Sequence, residues 1–237
     1  MGQDQKGDGD NGVYRFGLKT DELDVRLGKG IPKGSVVFIE GPEGSGRSIL
    51  SQRLCYGFLD NGVSVTYVST EMTFKDFIDQ MYSINYQVGP HLLSDRLLYV
   101  PVYPLLGQTR TRDDFLLKLV NSPQLFVRDV LIVDSFSSLL NKNMDYEHAN
   151  SLMGFLKKLT RMDKTVVLTS EAGLPNLDPL RLSADVYLDL VMNTRGGVSR
   201  EIHVKRFLRA RGQVEDQMKY RIEPKSGMVI EITDLSG

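Results

Sequence analysis

The hydrophobic pattern alternates between short apolar runs and stretches with helical spacing. Runs suited to buried strands occur at 36–39, 63–68, 97–103, 130–133 and 165–169. Apolar positions with helical spacing occur at 48–60, from Thr73 to Ile84, and at 111–119 and 145–161. Strands that alternate with helices are typical of a mostly parallel sheet covered by helices. The pattern therefore predicts an α/β fold.

The pattern changes after about Ala184, where helical spacing disappears. Strand-like runs follow at 185–192, 201–208, 217–222 and 228–232, separated by glycine-containing turns. Strands joined by short glycine turns usually pair antiparallel. We therefore predict antiparallel strands added to a parallel core, within a single domain over 13–237. Residues 1–12 are rich in glycine and aspartate, and we expect them to form a disordered tail.

Composition excludes several classes of protein. The 237 residues include 29 Lys and Arg against 30 Asp and Glu, a balance that disfavours a protein whose main role is to coat nucleic acid or an anionic membrane. Cys55 is the single cysteine, so neither an internal disulfide nor a multi-thiolate zinc site is available. No apolar run approaches the roughly 20 residues that span a bilayer. We expect a cytoplasmic protein.

The segment 41–48 carries the strongest chemical signal. Its sequence Gly-Pro-Glu-Gly-Ser-Gly-Arg-Ser fits the Walker A pattern G-x-x-x-x-G-K-[ST], except that Arg47 replaces the lysine. An apolar strand precedes the segment and an amphipathic helix follows it, so backbone N–H groups and the helix N-terminus can face phosphate oxygens. The predicted nucleotide contacts are Gly41, Pro42, Glu43, Gly44, Ser45, Gly46, Arg47, Ser48 and Ile49. A glycine-rich turn without a ligand is the alternative.

Arg47 bears on catalysis more than on binding. A lysine presents a compact ammonium to the β- and γ-phosphates, whereas a guanidinium is longer, planar and prefers to bind as a fork. Backbone amides carry much of the binding, but fast hydrolysis needs charge placed accurately on the transferring phosphoryl group. We therefore expect ATP binding with a weak or inactive ATPase.

Asp134 is the predicted partner of the phosphate-binding loop. It ends the apolar run 130–133, as in a Walker B motif, and carboxyl ends of parallel strands lie beside such a loop. We expect Ser48 to bind Mg²⁺ through its hydroxyl and Asp134 to reach the ion through water. The alternative is an aspartate that only caps a turn with Ser135.

Glu71 is the predicted catalytic residue. It follows the strand-like run 65–70, and in this topology it would lie near the γ-phosphate and could orient the attacking water. The alternative is favourable electrostatics in the first turn of the helix that contains Phe74. Residues 169–171, Thr-Ser-Glu, end another strand, and the sequence leaves open whether they sense the γ-phosphate or only begin a loop.

Several further segments carry a resemblance to a known family. They are 17–24 and 30–35 before the Walker A strand, then 69–73, 100–104, 184–188 and 204–207. With these segments, the chain resembles the KaiC/RecA superfamily from about Phe16 onward. More specifically, it resembles the FlaH (ArlH) family of archaellum-associated ATP-binding proteins. The resemblance implies one KaiC-like domain that binds ATP and Mg²⁺.

The resemblance also implies partners and an assembly. It implies a homo-oligomeric ring, expected to be a hexamer, at the inner face of the membrane, with the archaellum motor ATPase and the platform membrane protein as partners. Residues 209–212, Arg-Ala-Arg-Gly, match the family pattern Lys-x-Arg-Gly, whose basic residues reach a neighbour's γ-phosphate. The resemblance therefore implies that Arg209 and Arg211 contact nucleotide in trans. A solvated turn is the alternative.

Two other functions remain open at this stage. A RecA/RadA-type ATPase that handles DNA would need basic loops near the carboxyl edge of the sheet, but 171–182 contains only Arg181 against Glu171 and Asp178. Nucleic acid is therefore an unlikely partner on this pattern. A kinase acting on a small molecule or on itself is the third hypothesis, although no separate arginine-rich lid is evident.

Overall fold

A computed structural model describes residues 12–102, 121–139, 146–195 and 197–231. The predicted tail over 1–12 lies outside these residues apart from Gly12, as does the predicted helix over 111–119. Within the described ranges, none of the helices combines the length and the apolar character that crossing a membrane requires.

The described strands form one large sheet and one small one. In the small sheet, β1 (Val13–Tyr14) pairs antiparallel with β2 (Ile31–Pro32). The other strands are β3 (Val36–Gly41), β4 (Val65–Ser69), β5 (Leu97–Pro101), β6 (Val130–Asp134), β7 (Thr165–Glu171), β8 (Val186–Asn193), β9 (Ser199–Phe207), β10 (Gln217–Glu223) and β11 (Gly227–Ile230). They form a nine-stranded sheet in the order β11-β10-β9-β8-β3-β7-β6-β4-β5.

Pairing within the large sheet divides at β8. Every pair from β5 to β8 is parallel, with β3 between β7 and β8. The strands β9, β10 and β11 add antiparallel to β8 in sequence order. The predicted architecture, a mostly parallel sheet extended by antiparallel C-terminal strands, is confirmed.

Helices lie on both faces of the parallel strands. They are α1 (Leu23–Arg26), α2 (Arg47–Asp60), α3 (Phe74–Ser83), α4 (Gly89–Leu93), α5 (Tyr146–Thr160) and α6 (Asp178–Ser183). The start of α3 is a capping box, in which the Thr73 hydroxyl accepts from the Asp76 backbone N–H and the Asp76 carboxylate accepts from Thr73. The sequence pattern missed α1, α4 and α6, because helices this short show no helical period.

The core consists of two apolar layers separated by the sheet. Along β3, Val37 and Ile39 face the layer beneath α2, while Val36 and Phe38 face the layer that contains residues of α5. Strands buried on both faces favour apolar side chains at successive positions, which explains the hydrophobic runs of β3 and β6. The strand β3 is fully buried along its length, so the loop that follows it starts from a fixed point.

Candidate functional site

The predicted phosphate-binding loop connects β3 to α2 at the carboxyl edge of the parallel strands. Gly44 and Gly46 have φ angles of +75° and +91°, which a side chain would disfavour. The Ser45 backbone N–H and hydroxyl both donate to the Pro42 carbonyl, at 3.2 and 2.7 Å. These bonds close the segment into a compact turn ahead of Arg47, the first and partly exposed residue of α2.

Close packing explains a further glycine, Gly41, and gives a second reason for Gly46. A Cβ atom at Gly41 would lie 2.7 Å from the Ser45 hydroxyl and 2.8 Å from the Leu190 Cβ. One at Gly46 would lie 2.8 Å from the Cδ1 of Ile222. The loop therefore needs glycine both for its backbone conformation and for its contact with the C-terminal strands. This compact, glycine-dependent backbone at a helix start is the geometry that a phosphate group fits.

Asp134 lies next to the loop with its carboxylate almost completely buried, at 1% exposure. It accepts hydrogen bonds from the Ser48 hydroxyl at 3.2 Å, the Thr169 hydroxyl at 2.9 Å and the Tyr67 phenol at 3.1 Å. Burial raises the pKa of Asp134, and the nearby charge of Glu71 raises it further, while the three hydroxyl groups offset part of this shift. Burial thus makes the ionised form of this carboxylate unfavourable, and a cation bound beside it would stabilise that form.

Tyr67 and Ser51 form a layer behind Asp134 that sequence reasoning missed. Their hydroxyl groups are 2.8 Å apart, and Tyr67 links this pair to the carboxylate. Tyr67 lies in the apolar strand β4, where it reads as a core residue. The sequence offered one indication of this role, because a tyrosine in a buried strand needs a hydrogen-bond partner for its phenol. Thr169, whose role the sequence left open, contacts Asp134, whereas Glu171 is exposed and its backbone N–H donates to Ser137.

Glu71 is exposed and lies just beyond the end of β4. The backbone N–H groups of Glu71 and Met72 donate to the Ser69 hydroxyl at 3.4 and 3.1 Å, which fixes this corner. Thr73 is the N-cap of α3 and Asp76 is the acidic residue of its first turn. Glu71 therefore precedes the helix, and this weakens the alternative that it only stabilises the first turn.

Arg209 and Arg211 lie far from the phosphate-binding loop of the same chain. Arg209, with a φ of +60°, donates to the carbonyls of Lys33 and Gly34 at 2.9 and 3.0 Å. Both carbonyls precede β3, and the six residues of that strand separate its two ends by roughly 20 Å. Arg211 follows in the same exposed turn. The structure thus brings Ser48, Asp134 and Thr169 together but not the two turn arginines.

Comparisons with known proteins indicate the family of this chain. The family model "ATPase: KaiC" matches residues 18–234. The chain is 39% identical over 228 residues to the archaeal flagellar ATP-binding protein FlaH of Methanocaldococcus jannaschii, covering 94% of this chain and 98% of that protein. It is 34% identical to FlaH of Methanococcus voltae, covering 92% and 97%.

A solved structure gives the same result. The crystal structure of the flagellar accessory protein FlaH from Methanocaldococcus jannaschii superposes with a TM-score of 0.85 at 38% identity, covering 93% of this chain and 100% of that one. Sequence and fold agree over nearly the whole length of both proteins. The chain therefore belongs to the KaiC-like ATPase family and, within it, to the FlaH proteins.

Proposed function

We propose that this chain binds ATP and Mg²⁺ at the loop between β3 and α2, and that its nucleotide state controls assembly of the archaellum motor. The observation that carries the proposal is the hydrogen bond between Ser48 and Asp134 beside a glycine-shaped loop at a helix start. These are the two side chains expected to hold Mg²⁺, one directly and one through water. The names of the FlaH relatives support the association with the archaellum.

The residues present fit both groups. The backbone N–H groups of Gly46, Arg47 and Ser48 at the start of α2 would hold the phosphates, and the Arg47 side chain would add a positive charge there. When bound, Mg²⁺ neutralises charge on the phosphate oxygens. The raised pKa of Asp134, caused mainly by burial, fits a carboxylate that gains stability when a cation arrives. Glu71 is the candidate to orient water, and with Arg47 in place of lysine we expect slow hydrolysis.

The position of the arginine turn supports a ring. Because Arg209 and Arg211 lie at the edge of the sheet opposite to the loop, they can reach a nucleotide only on a neighbouring copy. We propose a hexamer arranged head to tail at the inner face of the membrane, where it docks to the motor ATPase and the platform membrane protein. ATP would then shift the population towards the assembled state.

The segment 171–182, which follows β7, argues against DNA handling. Arg181, the single cation of 171–182, donates to both carboxylate oxygens of Glu40 at 2.7 and 2.6 Å. It also donates to the Leu174 carbonyl and to Asp178. A guanidinium engaged in this way holds the segment together instead of facing solvent, so it contributes little to phosphate-backbone binding.

The test measures binding, turnover and assembly in one sample. Purified protein is titrated with ATP and Mg²⁺ by calorimetry, while phosphate release and light scattering are followed. We expect binding, slow release and an ATP-dependent increase in size. Arg47→Lys should raise phosphate release about tenfold or more if the guanidinium misplaces the charge. Arg209→Ala should reduce assembly without preventing ATP binding.

Arg128→Lys provides the matched control, because Arg128 pairs with Asp95 at the far edge of the sheet. It should change neither turnover nor assembly. Failure of the unmodified protein to bind ATP would overturn the whole proposal. Brisk turnover by that protein would overturn only the role assigned to Arg47.

A further inference from the structure

Three side chains form a row across the C-terminal strands and meet the phosphate-binding loop. Met192 on β8 is in register with Arg200 on β9, which is in register with Tyr220 on β10. A Cβ atom at Gly44 would lie 3.7 Å from the Met192 side chain. The row therefore contacts the loop from the side of the antiparallel strands, and the sequence indicated no role for any of its three members.

Two members of the row hold backbone carbonyls of the loop. The Arg200 guanidinium donates to the Gly44 carbonyl at 3.0 Å, and the Tyr220 phenol donates to the Ser45 carbonyl. Beside them, Ile222 packs so closely under Gly46 that a methyl group there would collide with it. Consecutive peptide groups of the loop are thus fixed from one side.

Holding a carbonyl also aims the N–H of the next residue. In a trans peptide group, the C=O and the following N–H share a plane and point in opposite directions. Fixing the carbonyls of Gly44 and Ser45 towards the C-terminal strands therefore turns the N–H groups of Ser45 and Gly46 away from those strands. The Ser45 N–H accordingly donates to the Pro42 carbonyl at 3.2 Å and closes the turn, so the Gly46 N–H is the aimed group that would meet phosphate.

The Tyr220 hydroxyl is well suited to this task. Tyr220 is buried, and burial raises the pKa of its phenol, so the group keeps its proton at any physiological pH and remains a donor. A two-torsion aromatic side chain on a sheet also loses little freedom when it holds a partner. The contact to Ser45 is therefore a rigid one.

We propose that β8 to β10 form a backing for the phosphate-binding loop, with Arg200 and Tyr220 as positioning residues that preorganise the loop amides for phosphate. The proposal rests on the proposed ATP site, because it explains how that site is shaped. It follows that a partner which displaces the C-terminal strands would weaken ATP binding without touching the nucleotide.

The experiment compares Tyr220→Phe and Arg200→Gln with two matched controls. Tyr86→Phe removes a buried phenol that lies beside Gly227 at the start of β11, and Arg221→Gln removes an exposed guanidinium of β10 that pairs with Glu223. For each variant, calorimetry gives the Kd for ATP with Mg²⁺ and a thermal melt gives the Tm without nucleotide. Hydrogen exchange without nucleotide reports the protection of the Ser45 amide, whose N–H donates to the Pro42 carbonyl.

We expect each test variant to raise the Kd by about three- to tenfold, the size of one hydrogen bond that shapes a site. The Ser45 amide, which donates to the Pro42 carbonyl, should exchange faster without nucleotide, and the controls should leave both readouts unchanged. If a test variant has a lower Tm but the same Kd and the same loop exchange as its control, the row only stabilises the fold and the proposal is wrong. If Tyr220→Phe does not fold, Arg200→Gln decides, because Arg200 is only partly buried.

The hydrogen-exchange readout also separates this proposal from the proposed function. If the unmodified protein fails to bind ATP, the proposed function is wrong, while faster loop exchange in the two test variants would still support the backing. If ATP binds and neither variant changes Kd or exchange relative to its control, the backing alone is wrong.

Discussion

The two sides of the phosphate-binding loop are built differently. On one side, the parallel strands β3 to β7 are apolar and place Asp134 and Thr169 at their carboxyl ends. On the other side, β9 and β10 alternate, with Ile202 and Met218 buried against the core while their neighbours reach solvent. The parallel side supplies the chemical groups, and the C-terminal side supplies contacts that shape the loop backbone.

Ion pairs show the same contrast. Arg53 on α2 and Asp21 are bonded at 2.5 Å with side chains only 0% and 1% exposed. Arg221 and Glu223 on β10 are also paired, but their side chains are 56% and 39% exposed. An exposed pair competes with water, whereas a buried pair leaves an uncompensated charge when one partner is lost. We therefore expect the two regions to respond unequally to the same kind of substitution.

The largest expected effect is that of Arg53→Ala. It leaves Asp21 buried without its partner and should lower the free energy of unfolding by about 3–5 kcal/mol. Arg221→Ala is the control and should cost roughly 0–1 kcal/mol. Denaturant unfolding of both variants measures the difference. Equal losses would show that the C-terminal strands depend on their ion pairs as much as the parallel core does.

The second largest effect is expected when a buried isoleucine of the parallel strands is truncated, compared with one on the C-terminal strands. Ile132→Ala removes a fully buried side chain from β6 and should cost about 3 kcal/mol of unfolding free energy. Ile222→Ala, in a partly buried position on β10, should cost nearer 1 kcal/mol but weaken ATP binding, because Ile222 supports Gly46. Unfolding curves and ATP titrations separate the two effects. A large loss of stability with unchanged ATP binding in Ile222→Ala would contradict the division between the two sides.

The smallest expected effect concerns pH. Because the pKa of Asp134 is raised in the folded state, mainly by burial, its ionisation lowers stability as the pH rises above the ordinary aspartate value. Asp134→Asn should therefore raise the Tm at pH 7 without nucleotide by on the order of 2 °C. This gain should vanish as the pH falls below about 4, where the carboxyl is neutral in both folded and unfolded states.

Asp189 supplies the control for this experiment on the C-terminal side, where it pairs with Lys205 near solvent. Asp189→Asn should not raise the Tm at pH 7. Thermal melts between pH 3 and 8 provide the measurement. If Asp134→Asn raised the Tm by the same amount at every pH, its effect would come from packing and not from the charge of Asp134.

Much of this protein could be predicted from its sequence. Strands buried on both faces leave unbroken apolar runs, so β3 and β6 were predicted within two residues of their observed ends. Glycine turns marked the antiparallel strands, and the capping box at Thr73 was visible as a local pair of residues. The loop 41–48 and Asp134 were also predicted, because each sits where a strand ends and local order fixes its place.

Contacts between residues distant in sequence were decided only by the tertiary structure. Tyr67 and Tyr220 look like core residues in their own strands. Their roles depend on the tertiary structure, which places Tyr67 against Asp134 of β6 and Tyr220 against the Ser45 carbonyl of the loop. The sequence identified Arg181 only as the single cation of 171–182, and the fold pairs it with Glu40. The physical reason is that periodicity and motifs depend on residues that are close together in the chain. These side-chain hydrogen bonds join residues far apart in the chain, so they depend on which strands lie side by side in the sheet.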